Sequence, residues 1–162
     1  MVDGRCFTHQ SSSTCVRSSR RKPGYGAHKR GLNSKVHLAV DASGMPIGCI
    51  VTAGTTPDCT KAIELLEDLD GNALFGDKAY DTNDIVKYAT ERNMLVVIPP
   101  KKNRIVQREY DKELYKLRHL VENAFLKMKR WRGIATRYAK NSTSFLAAVF
   151  ICCTKIWLDK LV

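Results

Sequence analysis

The sequence predicts an α/β protein built on a mixed sheet, antiparallel in its first part and parallel in its second. Three observations carry this expectation. SKVHLAVD (34–41) alternates Val36, Leu38 and Val40 against Lys35, His37 and Ala39. After a turn at Ala42-Ser43-Gly44, a second strand, MPIGCIVTA (45–53), completes a hairpin. ALFGD (73–77) and MLVVIPP (94–100) are short apolar runs, each entered through a helical segment, as parallel strands are. A long segment from Asp111 to Arg130 repeats Leu114, Leu117, Val121, Ala124, Phe125 and Met128 at helical spacing.

The remaining elements follow in order. MVDGRCFT (1–8) reads as a short first strand, and 9–34, rich in Ser, Arg, Lys and Gly, as a basic flexible loop. A helix starts at Pro57-Asp58 and continues to about Leu69. Another runs from Thr82 to Arg92, capped by Thr82 or Asp81. Pro99 and Pro100 stop the strand MLVVI, and a last apolar helix spans about Thr143 to Leu158. There is no internal repeat, no GxGxxG and no GxxxxGK[ST], so a nucleotide cofactor has no support. One domain over 1–162 is expected.

Charge narrows the class of partner. The chain of 162 residues is formally +11 at pH 7. Residues 1–56 hold eight basic against two acidic side chains, 57–100 four against nine, and 101–162 fifteen against five. Basic ends around an acidic middle point to a polyanion, nucleic acid first. No signal peptide is evident, and FLAAVFICC (145–153) is too short to span a bilayer. A cytoplasmic, nucleoid-associated protein without a membrane partner is the expectation. The six cysteines show no CxxC and no zinc-site spacing, which reads as reduced thiols. His9, His28, His37 and His119 read as surface or strand-packing residues rather than metal ligands.

Three carboxylates stand out. Asp77 ends a strand of an open α/β sheet, where ligands collect. Asp3 lies on the candidate first strand, and Glu122 on the edge of the long helix, able to lean over the sheet. Three converging carboxylates repel one another unless a cation sits among them. Mg²⁺ or Mn²⁺ suits such a set, and two ions serve phosphoryl displacement. Asp41, ending KVHLAVD, is the alternative first ligand. On a helix, Tyr115, Arg118, Glu122 and Lys129 share an arc of about 60° beside the apolar stripe.

Those residues carry a resemblance. The spacing of Tyr115, Arg118, Glu122 and Lys129 resembles that of the DDE transposases of bacterial insertion sequences, the group marked by a Tyr-Arg-Glu-Lys signature. GDKAYD (76–81), VDG (2–4) with His9-Gln10, KVHLAVD and VIPPKKNR (97–104) are also similar to that family. The resemblance implies a ribonuclease-H-like fold with Asp3, Asp77 and Glu122 as a metal-binding catalytic triad. It implies cleavage at the ends of a mobile element and strand transfer into target DNA, with Tyr115, Arg118 and Lys129 contacting DNA near the scissile phosphate. Double-stranded DNA is the expected partner, with homo-oligomerisation on it. Members of the family carry an upstream DNA-binding region, so this chain reads as their C-terminal catalytic part, with an upstream-frame product as a further partner.

Other basic residues fit the same expectation. Arg20, Arg21 and Lys22, in the run with Arg17, Lys29 and Arg30, read as a DNA-contacting loop, and Lys101, Lys102 and Arg104 as holding the DNA backbone. Trp131 stands either on a base or in the core at the helix end. The alternative function is a non-catalytic DNA-binding remnant of a transposase. A nuclease acting on RNA–DNA hybrids is disfavoured by the signature's spacing.

Overall fold

The computed structural model describes residues 6–16, 26–28, 31–105 and 107–161. Six strands form one sheet among them: β1 (Cys6–Val16), β2 (Gly26–His28), β3 (Gly31–Val40), β4 (Pro46–Ala53), β5 (Ala73–Phe75) and β6 (Leu95–Val97). The order is β2-β3-β1-β5-β6, with β4 also paired to β3. β3 is antiparallel to β1, β2 and β4, whereas β1, β5 and β6 run parallel. The sheet is therefore mixed as expected, and β1 is the seam where its two halves meet.

Much of 9–34 differs from expectation. Residues 9–16, 26–28 and 31–34 are strand rather than loop, while the Arg20, Arg21 and Lys22 run lies outside the described residues. QSSSTCV has no apolar alternation to announce a strand. Its extension comes from the ladder with β3, which runs from Thr8↔Val40 to Val16↔Leu32. The β3–β4 hairpin turns at Asp41, whose Oδ1 accepts from the amides of Ser43 (2.8 Å) and Met45 (2.9 Å). Gly44 there takes φ +75°, a conformation that costs glycine little.

Helices cover both faces. On one, α1 (Ala62–Leu66), entered through the 3₁₀ turn Asp58–Lys61, and α2 (Asn83–Glu91) bury Leu66, Ile85 and Ala89 with Leu74, Met94 and Ile98. Thr82 caps α2, its Oγ1 accepting from the Ile85 amide, so Asp81 is released from that duty. On the other face lie α3 (Lys112–Tyr115), α4 (His119–Lys129), α5 (Arg132–Ala135) and α6 (Ser142–Leu161). Val121, Ala124, Phe125 and Met128 of α4 and Phe145, Val149, Cys152 and Ile156 of α6 pack on Val36, Leu38 and Val40 of β3. The predicted helix over 111–130 is thus broken into α3, a 3₁₀ turn at Lys116–Arg118, and α4.

His37 shows how tightly the sheet's centre is closed. It is 0% exposed, with Nε2 2.8 Å from Thr52 Oγ1, which makes it the strand-packing histidine expected. Burial pushes its imidazole down to about 4, more than nearby Asp58 restores. The unfolded chain binds a proton at about 6.5, before the fold does. Stability is therefore complete above that value and is lost as pH falls from about 6.5 to 4. The urea midpoint should drop across this window, and His37→Phe should flatten that drop; an unchanged slope in the variant would remove His37 as its cause.

Candidate catalytic site

Asp77 follows β5 at the carboxyl end of the parallel strands. It caps the short turn Lys78–Tyr80, with Oδ1 accepting from the Ala79 amide at 2.7 Å. Strand alternation gives it the face of Ala73 and Phe75, which pack with Tyr110, Leu114, Tyr115 and Leu117. That face is where α3 and α4 cross.

The signature residues line the crossing. Tyr115 meets the Tyr110 ring edge-on, with centroids 5.6 Å apart. The Arg118 guanidinium carbon lies 5.8 Å from the Tyr115 centroid, and Arg118 Nη2 donates to Glu122 Oε1 at 2.6 Å. The 3₁₀ turn does not scatter these groups, because every residue through it keeps right-handed helical torsions. Burial raises the Tyr115 phenol above its ordinary value; Arg118 opposes this, while Asp77 and Glu122 add to it. Both carboxylates therefore act on the same ring, and the phenol stays a protonated donor at neutral pH. Lys129 is exposed two turns further on, about 10 Å along α4.

The donor set suits a hard divalent ion. Oδ2 of Asp77 and Oε2 of Glu122 hold no hydrogen bond among the described residues, and both side chains are partly exposed. No third His, Cys, Asp or Glu joins them among the described residues. Asp3 lies outside those residues. β1 pairs with β5 from Cys6↔Ala73 to Thr8↔Phe75, and its described residues, 6–16, include no acidic side chain. Asp41, the alternative ligand, is occupied in the hairpin turn described above.

A second constellation was not foreseen. Asp81 has a fully buried carboxylate that accepts from the Lys101 amide (2.8 Å), Arg104 Nη1 (2.6 Å) and Arg108 Nη2 (2.5 Å). Burial alone would raise this carboxyl, yet these three donors together hold it below the usual carboxylate range. Arg104 also donates to Asn83 at 2.6 Å, so its guanidinium grips protein rather than standing open to a backbone phosphate. The clamp ties Lys101, Arg104 and Arg108 beside the turn after Asp77 and leaves Lys101 and Lys102 exposed at the same rim. Arg108 carried no signal; its partner is 27 residues away in the chain.

A carboxylate at the end of a parallel strand and a Tyr-Arg-Glu run on a nearby helix thus lie on one face of the sheet. The sequence profile of the family described as "Transposase DDE domain" matches residues 1–156. The Brucella ovis protein assigned as transposase of insertion sequence element IS6501 is 36% identical over 129 residues, 78% of this chain and 99% of that protein. The chain belongs to the DDE transposases of insertion sequences. Among solved structures, the Mos1 transposase paired-end complex with left transposon end aligns over 98% of this chain at 13% identity and a TM-score of 0.42. The alignment covers 47% of the Mos1 chain, so this protein spans about half its length. Among the described residues no helix is long and apolar enough to cross a membrane.

Proposed function

We propose that this protein is the catalytic domain of a DNA transposase that cuts at the ends of its insertion sequence and joins them to target DNA with divalent metal. The observation that carries this is that Asp77, at the carboxyl end of β5, and Glu122, paired with Arg118, both act electrostatically on the Tyr115 phenol. The strand order, with an antiparallel β4-β3-β1 half and a parallel β1-β5-β6 half, supports a ribonuclease-H-like reading of the sheet.

In this reading Asp77 and Glu122 hold Mg²⁺ or Mn²⁺ through their uncommitted oxygens. Divalent ions held there would lower the pKa of an attacking oxygen and offset charge on the leaving one. Arg118 fixes Glu122 and faces a neighbouring phosphate with its other nitrogens. Tyr115 donates its phenolic proton to a phosphate oxygen, and Lys129, Lys101 and Lys102 hold the backbone on either side. Asp3 remains the proposed third carboxylate. The proposed substrates are duplex transposon ends and target DNA, bound by an oligomer and, where one exists, an upstream-frame product.

The test is nicking of a duplex carrying the element's terminal repeats. Cleavage is expected with Mg²⁺ or Mn²⁺, none with a chelator, and a return when the metal is restored; cleavage that persists in chelator would defeat the reading. A second reading, a DNA-binding remnant without catalysis, draws on the absence of any acidic side chain from the described residues of β1, the strand beside β5. It predicts salt-sensitive DNA binding and no metal-dependent cleavage under any of these conditions.

A further inference from the structure

The catalytic reading leaves one large feature unused. Between Glu122 and Asp159 the sequence contains no acidic residue, while Lys127, Lys129, Arg130, Arg132, Arg137 and Lys140 fall within it. The structure gathers most of this charge at one corner, where α4 ends, α5 makes its single turn and the chain leaves for α6. Two aromatic side chains stand out there, Trp131 at 41% exposure and Tyr138 at 65%.

Their exposure is built rather than incidental. Trp131 has extended backbone (φ −83°, ψ 108°) between α4 and α5, which takes its side chain off the core stripe of α4. The core is filled instead by Met128 and Ile134. At the other end of α5, Arg137 adopts φ +46°, a left-handed conformation that disfavours any residue with a Cβ. That turn sends Arg137 inward, where its guanidinium lies 4.8 Å from the Phe145 centroid, and leaves Tyr138 outside. The Tyr138 amide donates to Gly133 O at 3.1 Å, and its ring lies against Gly133, two residues from Trp131. Two apolar rings are thus held in water at one corner, ringed by Lys127, Arg130 and Arg132, all exposed.

Resting on the transposase reading, we propose that this corner binds single-stranded DNA, with bases stacking on Trp131 and Tyr138 and Lys127, Arg130 and Arg132 along the phosphates. Aromatic faces accept any base, and basic side chains track the strand, the combination that single-strand binding requires. A charge-only surface for duplex DNA has no use for exposed rings. The spacing also fits one strand with the catalytic carboxylates. From Glu122 through Lys129 to Trp131 is nine residues, about 13 Å at helical rise. Four nucleotides cover that distance even at the duplex spacing of about 3.4 Å, and an unpaired strand stretches further, so a flank of four reaches the rings from the cut.

The probe is an oligothymidylate of about a dozen nucleotides. Trp131 and Trp157 are the two tryptophans, so Trp157→Phe protein, its fold checked by circular dichroism, reports Trp131 emission alone. The oligonucleotide should quench that emission, and the affinity should fall as salt rises. Trp131→Leu and Tyr138→Leu should each weaken oligonucleotide binding about tenfold, read by anisotropy. A repeat duplex with a four-nucleotide single-stranded flank should quench where a blunt one does not. Absent quenching, or wild-type affinity in both leucine variants, overturns the proposal. The two readings fail separately: quenching without metal-dependent nicking would remove the catalytic assignment and keep this site, and nicking without quenching would do the reverse.

Discussion

Glu122→Gln and Asp77→Asn are each expected to lower metal-dependent nicking by about a hundredfold or more while leaving the fold intact. On the proposed reading each change removes a charge and an oxygen that would hold metal, at nearly constant shape. The structural losses are small for reasons specific to each position. Glu122 is 42% exposed and its pair with Arg118 is solvent-screened, so its contribution to stability is below about 1 kcal/mol. At position 77 the side chain caps the turn by accepting from the Ala79 amide, and asparagine caps as well as aspartate. Nicking rates and urea midpoints measured on the same preparations separate the effects. Near-normal rates in either variant would exclude that carboxylate from the chemistry. A loss of rate matched by loss of stability would make it structural.

Arg118 gives that result a direction. Its guanidinium sits between the Tyr115 ring and Glu122, so it fixes the carboxylate's rotamer. Arg118 holds Oε1 of Glu122, so on the proposed reading a metal would take the other oxygen and both contacts can exist at once. Along that edge of the helix, Arg118 is held by Glu122 on one side and the Tyr115 ring on the other, while Lys129 is exposed.

What the sequence revealed followed from periodicity and spacing. Val36, Leu38 and Val40 alternate because one face of β3 is buried under α4 and α6, and that alternation is visible in any window. The Tyr115–Glu122 spacing survived the 3₁₀ turn at Lys116–Arg118 because the torsions hardly change there. β1 was cut short for a physical reason: Ser11, Ser12, Ser13 and Thr14 have no hydrophobic side to declare, and only pairing with β3 makes them a strand. Asp81 was misread for a related one. Its acidic side chain beside a helix start suits a cap, and only the folded chain brings Lys101, Arg104 and Arg108 to it.

Asp81→Asn is accordingly expected to destabilise the fold by about 3 kcal/mol. The carboxylate is fully buried, and without its charge Arg104 and Arg108 face a neutral amide. The figure sits at the low end for a broken buried pair, because the two guanidinium groups are 20% and 24% exposed and regain some water. Arg104→Met should lose less, since Arg108 and the Lys101 amide still hold the carboxylate. The pH dependence has a defined sign. The folded carboxyl lies below its ordinary value, so its contribution is complete above about 3.9 and vanishes as pH falls through the lower folded value. That window lies below the one assigned to His37, so stability should fall in two successive pH windows, with Asp81→Asn diminishing the lower fall. An unchanged urea midpoint in Asp81→Asn would show that the 101–108 segment is held by other contacts, and Lys101 and Lys102 would then lose their fixed place beside Asp77.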